Sequence, residues 1–503
     1  MANKPLIEKS NIPSYVSYVT ETIEKAGFEV FLVGGCVRDL LIGRNPKDWD
    51  VTTNAKPEEI IGLFEKTVYE NTFGTVGVCV LKDDSVTHET NNDVTHVTEY
   101  NIIEVTPYRI EAKYSDFRHP DEIRFSDNIE DDLKRRDFTI NALALDNKGQ
   151  LIDLYKGQED IKDKVIRAVG DANDRFNEDA LRMLRAIRFS AQLDFAIEYN
   201  TMKAIVDNSH LLKNISKERI RDEFLKIIES KNPSTGIAML SKLGLLKYII
   251  PELEEGIGCI QGGAHIYDVF EHLLQALDHS ANKGFSTEIR LAALFHDIGK
   301  PRSRRPGIKK AYTFYGHEVV GARMVQKIMD RLKFPRKTTD LVVTLVRNHM
   351  FFSDTEQITL SAVRRIVQKV EKEHIWELME IRECDRVGMK KAEAPYRLRK
   401  YHAMIEEVLH DPISVGQLAI NGETLIKELG MKPNPRMGWI LHSLLEEVLD
   451  DPTKNTKEHL IELVKSLDML GDDELKTLGE RGKEEKEKKE QEEVNKLHKK
   501  HGV

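Results

Sequence analysis

Two aspartates separated by one residue, Asp48 and Asp50, follow Gly34-Gly35 and Arg38 within FLVGGCVRDLLIGRNPKDWDVTT, residues 31–53. Alternate residues of a strand point to one side, so these two carboxylates are expected to face the same way. Carboxylate oxygens bind Mg²⁺, with phosphates supplying further ligands. Glycine lets backbone come close to a ligand. A guanidinium matches phosphate oxygens. The combination suits a magnesium-nucleotide. The same spacing also fits a surface hairpin with two solvated aspartates, because short glycine fingerprints are unspecific.

Further arginines come later. Residues 131–144, DDLKRRDFTINALA, run from acids through Arg136-Asp137 into an apolar segment. Arg136 can reach a triphosphate and Asp137 can orient it; a solvated pair at a helix start fits equally. Residues 177–189, NEDALRMLRAIRF, read as one helix capped by Asn177 or Glu178. At ~100° per residue, Ala180, Met183, Leu184 and Ile187 share one side. Glu178, Arg182, Arg185 and Arg188 take the other, with Asp179 at its edge. Asp179 and Arg182 can pair with each other, or offer an acceptor and donors to a nucleobase edge.

A third set lies beyond residue 262. It comprises His272, His296-Asp297, His317, His349 and Asp385. Histidine and aspartate suit a divalent transition metal, and Lys300 and Arg302 can counter phosphate charge. His272 is placed on the polar side of an amphipathic helix over 267–279, and Gly299 is read as a helix stop.

The elements that must position these groups are mixed. A helix is expected over 12–26, a strand at 30–33, a helix over 56–66, and strands over 74–81 and 101–109. The polar stretch 83–98 reads as a hairpin or insertion, and 108–125 as a charged, aromatic loop. Strands and helices with short returns give an α+β head; helices dominate afterwards. At C-terminal positions, helices are expected over 359–370, 375–386 and 396–409, with a proline-rich turn at 432–438. From Arg481 onward nearly every residue is charged, which reads as a solvated helix or tail.

The bulk numbers set bounds. The chain has 503 residues, 40% hydrophobic and 32% charged, with net charge −9. Nucleic-acid binders are often basic, so any such surface must be a local one. Cys36, Cys79, Cys259 and Cys384 are scattered, as in a reducing compartment. There is no apolar run of membrane-span length and no signal-peptide core at the start. These features place the chain in the cytoplasm, with no membrane partner; none of them sets an oligomeric state.

Taken in order, GGxVRDxLxG…DxD, RRDFTINALA and EDALRMLRAIRF resemble the class II tRNA nucleotidyltransferase and bacterial poly(A) polymerase family. The segments at 152–172 (IDLYKGQEDIKDKVIRAVGDA) and 216–230 (SKERIRDEFLKIIES) extend the resemblance across residues ~28–255. It implies a polymerase-β-like head at 1–150 and a helical neck for nucleobase recognition at 151–255. HDIGK resembles the HD-domain phosphohydrolases and implies an HD domain at 256–392. A helical, tRNA-binding body at 393–475 and a charged tail at 476–503 complete the division.

The resemblance also implies roles. Asp48 and Asp50 would carry Mg²⁺, and Gly35, Arg38 and Arg136 would hold the nucleotide. Asp179 and Arg182 would read the base, and Arg185 and Arg188 would serve the pocket. His272, His296, Asp297, His317, His349 and Asp385 would bind the second metal, with His317 and His349 serving a second ion of that site. The poly(A) polymerases carry a Gly–basic–basic–Phe signature after the DxD; here the region reads ENTFGTVGVCV. Residues 108–125 match the flexible loop with which CCA-adding members switch from C to A. The expected function is therefore CCA addition to tRNA from CTP and ATP. The alternatives are an A-adding enzyme or a poly(A) polymerase. The HD module is expected to hydrolyse phosphate esters, including 2′,3′-cyclic phosphates, or to act as a helical spacer.

Overall fold

In the computed structural model, which describes residues 11–69, 74–82, 87–90, 93–96, 99–111, 123–262, 266–307, 311–350, 360–387, 395–409 and 418–481, the run Val30–Val33 forms strand β1. It is apolar throughout because both its faces are covered. Val30 and Leu32 join a core with Val16, Val19, Ile23, Ile60 and Val105, while Val33 packs on the other side with Tyr108, Ile129 and Leu133.

Six more strands complete the head sheet: β2 (Asp50–Thr53), β3 (Thr67–Tyr69), β4 (Val76–Leu81), β5 (Tyr100–Pro107), β6 (Ala144–Leu145) and β7 (Leu151–Ile152). Their order is β7-β6-β1-β2-β5-β4-β3. β2 and β5 are parallel, and the other neighbours are antiparallel. This is the mixed sheet expected of an α+β head. Helices Ser14–Lys25 and Pro57–Leu63 place Val16, Val19, Ile23 and Ile60 in the first core, and Pro57 sits in the first turn, where its missing N–H costs nothing.

The expected insertion at 83–98 contains an antiparallel pair, Thr87–Thr90 with Asp93–His96; its remaining residues lie outside the described set. The expected loop at 108–125 is entered and left by a paired ladder, Arg109–Glu111 with Ile123–Phe125. Residues 112–122 lie outside the described set. Tyr108 is not part of a solvated loop: it is fully buried, with its hydroxyl 3.4 Å from Glu29.

The neck is helical. Residues 177–189 are not the single helix that their periodicity predicts. One helix, Ala172–Glu178, ends, and the arginine helix begins only at Leu181. Asp179 lies between them in extended backbone, φ −143° and ψ 104°. Its carboxylate accepts from the Leu181 N–H at 3.0 Å, as a capping side chain does. Ala180, Met183, Leu184 and Ile187 are buried together as the wheel predicts. The strut helix Lys217–Ile228 and helix Pro233–Lys242 pack beside them.

The chain divides into two compact units, Met1–Val346 and Arg347–Val503. The first also holds helices Val269–Asn282, Thr287–Phe295, His317–Arg331 and most of Arg336–Asn348. In the second, Leu360–Val370, Ile375–Asp385 and Pro395–Leu409 match the expected helices. A separate core gathers Ile420, Leu425, Ile440, Leu444, Leu460 and Leu475. The proline-rich stretch at 432–438 is less a turn than a helix start. Asn434 caps the helix Pro435–Asp450 by accepting from the Met437 N–H. The tail beyond Arg481 lies outside the described set. Among the described residues, no helix is long and apolar enough to cross a membrane.

Candidate active site

Gly34 turns the chain from β1 into the short helix Gly35–Leu41 with φ +76° and ψ −131°, a conformation that L side chains rarely adopt. A Cβ there would also lie 2.8 Å from Arg136 Nη1 and 3.5 Å from Asp50 Oδ2. The bare backbone, the guanidinium and the carboxylate thus meet at one point. Arg38, on the same helix, is 8% exposed. It donates from Nη1 to Asn141 Oδ1 at 2.7 Å and from Nε to Asp39 at 2.9 Å.

Asp50 opens β2 opposite Val33, and Asp48 is exposed in the bend before it. Burial pushes the Asp50 carboxyl up, Arg136 opposes that, and the like charge of Asp48 adds to it; the net shift is upward. A divalent cation beside the two carboxylates would reverse that balance, so the donor set fits a hard, oxygen-preferring ion. The parallel register of β2 and β5 sets Glu104 directly beside Asp50. The sequence reading missed this exposed third carboxylate, because register between strands 50 residues apart leaves no local signal.

Arg136 is not oriented by Asp137, as its neighbour in sequence suggested. It is held by Asp132, whose Oδ2 accepts from Nη2 at 3.0 Å. Asp132 is completely buried. Burial pushes its carboxyl up, but Arg135 and Arg136 overcome that and hold it below the usual range. Asp137 instead takes Arg185, accepting from Nε at 2.6 Å. Although burial raises the Asp137 carboxyl, Arg185 and Arg182 bring it down to about 2.

Asp179 and Arg182 do not pair with each other as spacing allowed. Arg182 donates to Glu178 at 2.7 Å and to the Arg135 carbonyl at 3.0 Å. Asp179 accepts from Arg219 at 2.7 Å. Arg188, on the side of the helix opposite the apolar one, is nonetheless buried; it is 7% exposed and donates to the buried Glu223 at 2.9 Å. Burial, with repulsion from Arg185, lowers its guanidinium to about 10. A single ring organises these cations. Phe189 lies 5.1, 5.4 and 4.3 Å from the guanidinium carbons of Arg38, Arg185 and Arg188.

A second cluster forms deep among the later helices. His272 and His296 approach Nε2 to Nε2 at 3.1 Å, and both face Asp297 Oδ2, at 3.5 and 3.4 Å. His272 is 1% exposed, so it belongs to the buried face of Val269–Asn282 and not the polar one. His296 Nδ1 donates to the Ala293 carbonyl at 2.9 Å, which leaves the Nε2 lone pair facing the cluster. His317 does the same through Phe314 and reaches Asp297 Oδ1 at 3.1 Å. Two imidazole lone pairs beside one buried carboxylate fit a nitrogen- and oxygen-binding metal.

Lys300 Nζ lies 2.5 Å from Asp297 Oδ2 and 2.6 Å from Gln261 Oε1, and Arg302 is occupied by Glu255. Burial raises the Asp297 carboxyl, but Lys300 and His296 hold it well below the usual carboxylate range. Gly299 is not a left-handed helix stop. A Cβ there would strike the His317 carbonyl at 2.2 Å, so glycine serves close packing of the HD turn on the helix His317–Arg331. His349 follows the helix Arg336–Asn348, and Asp385 ends the helix Ile375–Asp385. Both belong to the second unit.

Three known families match the chain in succession. The poly A polymerase head domain matches residues 30–167. The probable RNA and SrmB-binding site of polymerase A matches 194–257, and the HD domain matches 263–389. The chain is therefore a nucleotidyltransferase with a helical RNA-binding segment and an HD domain, and both catalytic families are metal-dependent. The CCA-adding enzyme of Ligilactobacillus salivarius (strain UCC118) is 35% identical over 455 residues, 89% of this chain and 95% of that protein. The crystal structure of the Bacillus stearothermophilus CCA-adding enzyme in complex with CTP is 26% identical. It matches 90% of this chain and 96% of its own with a TM-score of 0.60. The Thermotoga maritima CCA-adding enzyme complexed with tRNA shares the fold at 21% identity, with a TM-score of 0.51 and coverage of 90% and 94%. The chain belongs to the family of CCA-adding enzymes.

Proposed function

We propose that this chain adds C, C and A to the 3′ end of tRNA from CTP and ATP, releasing pyrophosphate at each step without a nucleic-acid template. The observation that carries this reading is the meeting of Gly34, Asp50 and Arg136 at one point, in a chain of the CCA-adding family. Asp48 and Asp50 would hold Mg²⁺, which would supply acidity to the RNA 3′-hydroxyl and charge for the leaving oxygens. Arg136, kept in place by Asp132, and Arg38, kept by Asn141, bind the triphosphate beside Gly35. Asp179 and Arg182 read the base edge. Arg185 and Arg188 line the pocket and hold positive charge over Phe189.

The division into head (1–150), neck (151–255), HD domain (256–392), body (393–475) and tail (476–503) is part of this reading. The spans of the three matched families support its head, neck and HD parts. The body grips the tRNA acceptor arm. In the HD domain His272, His296, Asp297, His317, His349 and Asp385 would hold a divalent transition metal. The domain hydrolyses phosphate esters, 2′,3′-cyclic phosphates included. The close approach of His272, His296 and Asp297 supports that reading. The chain works in the cytoplasm, which fits four unpaired cysteines.

Incubation with tRNA ending before CCA, plus CTP and ATP, tests the function directly. Sequencing the products is expected to give CCA ends. A single added A, or long A tails, would replace this reading by the A-adding or poly(A) alternatives.

A further inference from the structure

The strut helix Lys217–Ile228 touches the base-reading region with two side chains one turn apart. Glu223, 4% exposed, accepts from Arg188 Nη1 at 2.9 Å. Arg219 Nη2 donates to Asp179 Oδ2 at 2.7 Å. The other oxygen, Oδ1, accepts from the Leu181 N–H at 3.0 Å. Asp179 lies in extended backbone where two helices break, so helical geometry alone does not set the direction of its side chain. The carboxylate plane turns about a broad, two-fold torsion. One backbone N–H restrains one oxygen; the second restraint, which fixes the plane, comes from Arg219.

We propose that Arg219 is a positioning residue for base selection. It sets the plane of the Asp179 carboxylate, and with it the lone pair offered to the incoming base. The proposal rests on the reading that Asp179 and Arg182 meet the base edge. Arg182 is fixed separately, by Glu178 and the Arg135 carbonyl, so Arg219 acts on the acceptor half of the pair alone. Cytosine and adenine each present an amino donor beside a ring-nitrogen acceptor. Uracil presents a carbonyl where cytosine has the amino group. A carboxylate held in one plane accepts from the amino group and repels the carbonyl. A carboxylate free to turn can move away from that carbonyl, so the loss of Arg219 weakens the rejection of uracil more than it weakens catalysis.

The test compares the full-length wild-type chain with Arg219→Gln and Arg219→Lys on tRNA lacking CCA. The rates are kcat/KM for CTP, ATP and UTP, alongside inhibition by magnesium tripolyphosphate, which has no base. The expected result for Arg219→Gln is a fall of about tenfold in the CTP-over-UTP preference, the scale of losing one charge-assisted hydrogen bond. Tripolyphosphate inhibition stays unchanged, and Arg219→Lys restores part of the preference. If folded Arg219→Gln keeps the wild-type preference, the proposal is overturned. Equal losses for all three nucleotides and for tripolyphosphate would also overturn it, by making Arg219 a general strut. Should Arg219→Gln fail to fold, Arg219→Lys decides by the same preference. A wild-type chain that adds neither C nor A would instead refute the function on which the proposal rests.

Discussion

Arg136 fills the space that a side chain at position 34 would need, with Nη1 2.8 Å from where the Cβ would be. Gly34 is thus required twice, by its φ of +76° and by the guanidinium beside it. Gly34→Ala is expected to cost about 1–3 kcal/mol of stability from backbone strain. It should also displace Arg136 and lower nucleotide addition about a hundredfold, the scale of losing a preorganised cation. Melting curves and single-nucleotide addition rates measure the two effects. Full activity in the variant would show that Arg136 does not have to sit there.

Asp137 and Arg185 set an acid limit on stability. The Asp137 carboxyl is held at about 2, below its ordinary value, so its contribution is present above the unfolded value near ~4 and is lost as pH falls through the folded one. Asp137→Asn should be less stable than wild type by about 2 kcal/mol at neutral pH. The gap should close as pH falls from ~4 toward ~2. Denaturant titrations across that range check it, and a gap independent of pH would remove Arg185 as the cause.

Much of this was legible beforehand. The glycine turn, the paired aspartates, Arg136 and the arginine helix carry residue types and spacings tied to phosphate and metal chemistry. Which acid holds which arginine was not legible. Asp132 and not Asp137 orients Arg136, Arg219 and not Arg182 meets Asp179, and Glu223 buries Arg188. The last two pairs join different elements, and helical periodicity reports only one helix at a time; the first is a local i,i+4 pair, hidden because Asp137 stands next to Arg136 in the sequence. The break at Asp179 was hidden for a related reason. Residues 177–189 are amphipathic throughout, and a side-chain cap on the Leu181 N–H interrupts them without a glycine or proline to mark the place. His272 looked polar on its wheel, but the turn after a neighbouring helix supplies His296 and Asp297, which make its burial tolerable.

Asp50 should oppose folding in the metal-free chain. Its carboxyl is raised by burial and by Asp48, so the protonated form is favoured, and the penalty grows as pH rises through the unfolded value. Asp50→Asn is expected to raise the melting temperature without metal at neutral pH, while reducing nucleotide addition about a hundredfold or more. Added Mg²⁺ should stabilise the wild-type chain more than the variant. Calorimetry with and without Mg²⁺ decides this, and a lower melting temperature for the metal-free variant would contradict it.

The HD cluster should be separable from the head. His296→Ala removes a nitrogen that faces both His272 and Asp297. It is expected to lower bound transition metal, measured by elemental analysis, and to abolish hydrolysis of 2′,3′-cyclic phosphates. CCA addition should be spared. Loss of both activities would mean that the cluster supports the fold of the whole first unit.

The most direct measurement remains the 3′-end sequence of tRNA lacking CCA after incubation with the chain, CTP and ATP, alongside Asp48→Ala. Wild type is predicted to produce CCA ends, and Asp48→Ala to leave the tRNA unextended. Extension by Asp48→Ala at the wild-type rate, or wild-type products other than CCA, would contradict the account.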